Sequence, residues 1–307
     1  MVAFPEPREG LYFDLPEEAY HADPALGSTD VKNLRTSGPD YWWNSPHNPD
    51  RPKRNDTPYQ EFGTAFHVRV LYGKQAFESQ YVRRPDDLVT LTAKARAELC
   101  PNGEIVLKGE DYDRIQLLAN LVGKTPDLAE AFEGGAPEVS VFWREIINGS
   151  AVPCKARFDY LKKRGIGDLK SIRNYRGRSF PEACANAINE YRYDIQAAHY
   201  LAGRSHLARF VRDGLVHGDH SQEWLLAAAA SEFAFQIVFF QADSAPIGWT
   251  RVFSPGNSVL DIATQHRAQA LETYVSYMSK FGPDKMWLLD IEVCELDIEE
   301  MPKWYSR

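Results

Sequence analysis

The sequence predicts a mixed α/β domain built on one central sheet, preceded by a helical extension. Three observations predict it. Alternating apolar and polar residues mark consecutive strands between about 138 and 172. Segments with helical apolar spacing lie on both sides of that run, and two more strand-like segments and a long helical one follow it. The chain has 307 residues, 44% hydrophobic and 25% charged, a globular balance with enough length for a sizeable core. No run of roughly eighteen apolar residues occurs, so neither a bilayer span nor a membrane partner is expected.

In chain order, Ser28, Thr29 and Asp30 are good N-caps for a short helix over 28–37, which Gly38-Pro39 ends. Tyr41, Trp42 and Trp43 follow as packing anchors, and the proline-rich stretch 44–59 reads as an exposed loop. A helix is predicted over 60–72, with Phe62, Phe66, Val70 and Leu71 as its apolar stripe. A longer one covers 110–132 and stops at Gly134-Gly135. Residues 138–145 alternate as a strand, and Asn148-Gly149 turns the chain into a second strand, 151–161. Lys162-Lys163-Arg164-Gly165 turns it again into a third, 166–172. Ser179 opens a helix that reaches about Tyr200, with Glu182 completing a capping box. Residues 234–241 and 247–253 read as strands and 258–280 as a helix. The expected organisation is a helical and loop extension over 1–60, a core over 61–284 and a tail over 285–307, from which no function is read.

Cys100, Cys154, Cys184 and Cys294 are far apart and form no CxxC, which argues against a zinc ribbon or a compact iron–sulfur motif. The opening MVAFPEPREG has no basic start leading into an apolar run. A signal peptide is therefore not expected, and the cysteines are expected to be reduced, cytoplasmic thiols. The net charge of −8 is unevenly spread. Between Arg144 and Arg192 eleven Lys/Arg face five Asp/Glu, a local +6 in a chain whose remainder carries −14. Such a patch can steer a phosphate backbone to one place while limiting non-specific binding, although a solvated charged hairpin would carry the same residues. Arg157, Arg173 and Arg192 are the cations of this segment expected to meet DNA.

Asp168 and Lys170 are two apart on one strand, so they share a face while Leu169 turns into the core. Antiparallel pairing across the 162–165 turn can bring Asp159 beside Asp168. Two adjacent carboxylates repel, and a hard divalent cation relieves that repulsion; magnesium suits oxygen ligands, with manganese as a substitute. A neighbouring lysine can orient or deprotonate a water and stabilise charge on a pentavalent phosphate, the logic of phosphodiester hydrolysis. D-x-K by itself is a common triplet and equally describes a surface hairpin. Gln196 and Tyr200 lie four apart on the following helix with Arg192 a turn earlier, an amide, a phenol and a guanidinium in one row that could clamp a phosphate. His67, one turn after Gly63, is either a packed helix residue or a metal or phosphate contact. Glu138 is either an edge carboxylate or a further acid on the metal side.

Five segments occur in a specific order: GTAFH (63–67), PEVSVFW (137–143), KARFDYL (155–161), GDLKS (167–171) and YDIQAAHYL (193–201). Together with STDVKNLRTSGPDYWW (28–43), they resemble the RecE-type phage and prophage exonucleases of the PD-(D/E)xK superfamily over roughly residues 25–280. The resemblance implies a restriction-endonuclease-like core, with Asp159, Asp168 and Lys170 as the central triad. It also implies that His67 and Glu138 join the metal site and that Gln196 and Tyr200 form the helix motif behind it. Further implications are magnesium-dependent degradation of one strand from double-stranded DNA ends, 5′ to 3′, delivery of the product to a single-strand annealing protein, and a homo-oligomeric ring. Phe158 stands where the family motif has proline, and the second acid is aspartate rather than glutamate. A structure-specific endonuclease and a non-catalytic DNA-binding recombination scaffold remain open alternatives.

Overall fold

The computed structural model describes residues 9–52, 57–88, 90–174, 176–291, 295–302 and 304–305. Strand β1 (Gly10–Tyr12) leads into three helices, α1 (Glu17–Ala22), α2 (Ser28–Thr36) and α3 (Gly38–Asn44). Ser37 caps α3 by accepting from the Asp40 amide, and Pro39 occupies the first turn, where its missing N–H costs no hydrogen bond. Gly38-Pro39 therefore ends one helix and starts the next. The α3 spacing buries Tyr41 and Trp42 and leaves Trp43 exposed, so two of the three expected aromatic anchors pack.

Helix α4 (Pro58–Leu71) is fixed by a capping box between Thr57 and Gln60. Then come α5 (Gly73–Gln80), β2 (Tyr81–Arg83), α6 (Ala93–Leu99), β3 (Ile105–Leu107) and α7 (Gly109–Lys124). The predicted helix over 110–132 is three pieces. Pro126 interrupts it, and α8 (Pro126–Ala129) and a 3₁₀ turn (Glu130–Phe132) follow. Three long strands are next: β4 (Ala136–Ile147), β5 (Ser150–Lys162) and β6 (Gly165–Ile172). Asn148 and Gly149, at φ 49° and 80°, make the tight β4–β5 turn, whose left-handed residues match the strand twist.

The helix expected over 179–200 is two, α9 (Phe180–Glu190) and α10 (Tyr193–Ser205), broken where Arg192 takes a left-handed conformation (φ 50°, ψ 50°). The chain continues through α11 (Leu207–Asp213), β7 (Val216–His217), α12 (Gln222–Ala229), β8 (Ala234–Gln241), β9 (Gly248–Phe253) and α13 (Ser258–Phe281).

Seven strands form one mixed sheet in the order β7-β1-β4-β5-β6-β8-β9, and β2 and β3 form a separate pair. The β4–β5–β6 meander is antiparallel, whereas β8 returns parallel to β6 after the intervening helices. Helices cover both faces. One face packs α2, α10 and α13 around Phe158, Ile166 and Phe239; the other packs α4 and α7 around Leu169, Val238 and Phe240. Cys100, Cys154 and Cys184 are free and buried; Cys294 lies outside the described residues. Among the described residues no helix is long and apolar enough to cross a membrane.

Candidate active site

The site forms where β5 and β6 part. Their ladder runs from Lys162↔Gly165 to Tyr160↔Gly167 and stops there. The side-by-side pairing of Asp159 and Asp168 expected from the sequence is therefore not made. The Leu169 peptide groups lose their strand partner, and such groups rarely stay unpaired in a protein interior. Asp159 Oδ2 accepts from the Leu169 amide at 2.8 Å, and His67 Nε2, on α4, lies 2.9 Å from the Leu169 carbonyl oxygen. His67 Nε2 is also 3.8 Å from Asp159 Oδ2.

Glu138 sits on β4 opposite Asp159, between the paired residues Pro137↔Tyr160 and Val139↔Phe158. Its φ of 53° is a left-handed conformation that costs a side chain with a Cβ on the order of 1–3 kcal/mol and recurs at functional sites. One ligand atom each from His67, Glu138 and Asp159 can be chosen so that all lie within 4.8 Å of one another. Arg157 grips Glu138 at 2.6 Å and is itself held by the Leu15 carbonyl and the Ser140 hydroxyl. It is thus committed to positioning Glu138. Burial raises the Glu138 pKa, and the Asp159 charge adds to that rise.

Asp168 stands outside this trio, fully buried on the α10 side of the sheet. Gln196 Nε2 donates to Asp168 Oδ1 at 2.8 Å, and Lys170 Nζ lies 2.6 Å from Oδ2. Oδ2 is thereby ion-paired with the lysine ammonium. Burial lifts the Asp168 pKa to about 6 with help from Asp159, against the pull of Lys170. Burial opposes the Lys170 ammonium, but Asp168 and Asp159 outweigh it and hold the lysine above its ordinary range.

Gln196 and Tyr200 do share a face of α10, as their spacing predicts, but Arg192 does not join them. It precedes the helix in the left-handed cap and pairs with Asp194 and His266. Arg173 lies beyond the end of β6 with its guanidinium over the Tyr59 ring, 5.5 Å from the centroid.

The sequence reading missed two contributors from α2. Lys32 Nζ donates to Gln196 Oε1 at 3.4 Å, and Ser28 hydrogen-bonds Tyr200, whose pKa burial pushes well above its ordinary value. Burial, reinforced by the Lys170 charge, lowers Lys32 to about 8. Ser28 and Lys32 are four apart, as are Gln196 and Tyr200, and that matched spacing was the available signal.

His67, Glu138, Asp159, Arg157 and Tyr200 line a cleft of about 1040 Å³, together with residues of α1 and the α2 N-terminus. The donor set fits a hard divalent cation. Two carboxylates and an imidazole each offer a ligand atom within 4.8 Å of the others, the oxygen-rich set that such an ion takes.

A family model described as a PDDEXK-like domain of unknown function (DUF3799) matches residues 44–214, more than half of the chain. The chain belongs to this family. It is thereby a member of the PD-(D/E)xK nuclease superfamily, whose enzymes are generally dependent on divalent metals. Its mixed sheet flanked by helices is the restriction-endonuclease-like fold expected from the sequence. A crystal structure described as a "Putative exonuclease" from Eubacterium rectale is similar in fold, with a TM-score of 0.51 and 13% identity over 86% of this chain and 87% of that one. A second, SSO0001, has a TM-score of 0.31 and 12% identity over 86% and 79%, too distant to support an argument. No curated protein matches the chain.

Proposed function

We propose that this family member is a magnesium-dependent DNA exonuclease of the RecE type, acting 5′ to 3′ from double-stranded ends. The observation that carries the hydrolytic reading is the clustering of His67, Glu138 and Asp159 within 4.8 Å of one another, with His67 and Asp159 both against the Leu169 peptide groups and the Asp168–Lys170 pair on the same strand as Leu169. His67, Glu138, Asp159 and Asp168 would hold the cation. When bound, the ion supplies Lewis-acid polarisation of the phosphate and lowers the pKa of water.

The protein's own groups do the rest. The Lys170 ammonium, held by Asp168, offers positive charge to the phosphate as water adds to phosphorus and the bridging P–O bond breaks. Gln196 fixes the Asp168 carboxylate, and Tyr200 closes the wall of the cleft behind it. Arg157 keeps Glu138 aimed through its 2.6 Å contact. End-dependence and polarity rest on the motif resemblance, as does transfer of the product strand to an annealing partner. With magnesium, linear duplex DNA is expected to be degraded while covalently closed circles persist. Cleavage of the circles at a comparable rate would overturn the exonuclease reading in favour of an endonuclease with the same chemistry.

A further inference from the structure

A second cavity, of about 300 Å³, lies past the end of β6, beyond Lys170. Its wall carries Arg173, Arg176 and Arg178 with Tyr59 and Tyr191, and among the described residues Glu190 is the acid that lines it. Tyr191 is 53% exposed, leaving its ring accessible to a ligand, whereas Tyr59 is 37% exposed with the Arg173 guanidinium over its ring. The N-terminal turn of α4 separates this cavity from the large cleft, since Tyr59 lines one and Gln60 the other. From Tyr59 the same helix runs on to His67. That is about 12 Å at the α-helical rise, or three to four nucleotides at the rise of one strand in a duplex. Aromatic rings also lead back to the catalytic pair: Tyr191 lies 5.7 Å from Tyr193, and Lys170 Nζ sits over the Tyr193 ring.

Arginines beside exposed aromatic rings are the chemistry of single-strand binding, with cations tracking phosphates while bases stack on ring faces. We infer that this cavity is a cradle for a single DNA strand, holding the segment a few nucleotides from the scissile phosphate. The inference deepens the nuclease reading and rests on it for the strand's route. The cavity's affinity for DNA is a separate matter.

The test is fluorescence anisotropy of 5′-labelled (dT)12 in EDTA, where no cleavage occurs, on the full chain. Tyr191→Ala is expected to weaken binding about tenfold, within the range known for one base–aromatic stack. The double variant Arg176→Ala/Arg178→Ala is expected to flatten the dependence of log affinity on log salt by about 1.4, two single-strand phosphate contacts. A merely structural role would leave that slope alone. Manganese-dependent hydrolysis of bis(p-nitrophenyl) phosphate, too small to reach from one site to the other, is expected to stay at the wild-type rate in both variants. Wild-type affinity and slope in the folded variants would overturn the cradle while leaving the nuclease reading intact. A wild-type chain that binds (dT)12 through these residues but hydrolyses no diester would overturn the nuclease reading and keep the cradle.

Discussion

Asp168 and Glu138 both lie close to Asp159, yet their surroundings are opposite. Asp168 has no exposure and is held by Gln196 and Lys170 from a packed helix and its own strand. Glu138 lines the open cleft with His67 and Asp159, its side chain 23% exposed, and one arginine steadies it. The closed half is organised before any ligand arrives, because its partners are locked by packing. The open half holds two carboxylates that repel one another beside a histidine, groups that can exchange partners. This division predicts that defects in the open half are repaired by more metal and defects in the closed half only in part.

The largest effect tests that directly. Asp168→Asn keeps the shape but removes a carboxylate that would hold the cation together with the charge that holds Lys170, and DNA degradation is expected to fall by about 10³-fold and to stay well below wild type at saturating metal. Glu138→Gln is expected to weaken manganese binding by at least about tenfold, read by calorimetry, with cleavage recovering as manganese is raised. Equal recovery in both variants would erase the distinction between the halves.

A middle-sized effect concerns the scaffold under the closed half. His199 is fully buried on α10, where its Nε2 faces the Leu26 and Lys155 carbonyls and Arg267 donates to Nδ1. Burial, then the Arg267 charge, lowers its pKa to about 3. The unfolded chain, with a histidine near 6.5, therefore binds more protons between those values. His199's contribution is fully present above about pH 6.5 and is lost as pH falls toward 3, at roughly 1.4 kcal/mol per pH unit. Urea melts at pH 7, 6 and 5 are expected to show this slope, reduced by one proton in His199→Gln. An unchanged slope would remove histidine from the account. The smallest effect is Lys32→Met. The 3.4 Å contact with Gln196 is long, so the expected loss of turnover is about fivefold or less, near 1 kcal/mol. A loss as large as that of Asp168→Asn would place Lys32 within the closed half.

Much of this arrangement was legible beforehand because it is local. The i,i+2 relation of Asp168 and Lys170, the i,i+4 relation of Gln196 and Tyr200, and the Asn148-Gly149 turn follow from backbone periodicity alone. Short elements were not legible. β1 and β7 have three and two residues, too few for an alternation to register, yet β1 edges β4 and pairs with β7. Arg192 was misread because nothing in its neighbours announces a left-handed residue inside a helical pattern. The missing ladder pair between Asp159 and Asp168 was not legible because a ladder that stops after three pairs depends on the tertiary fit of Leu169, His67 and α4.

The left-handed backbone at Glu138 has a consequence for variation at that position. Its conformation is unfavourable for a residue with a Cβ, and its charge is unfavourable where burial and Asp159 outweigh Arg157. Glycine would relieve both burdens. A library of variants sorted only for heat resistance should therefore collect glycine at 138, and those survivors should be the ones that cut only when metal is abundant. Selection for durability and selection for chemistry pull apart at a single codon.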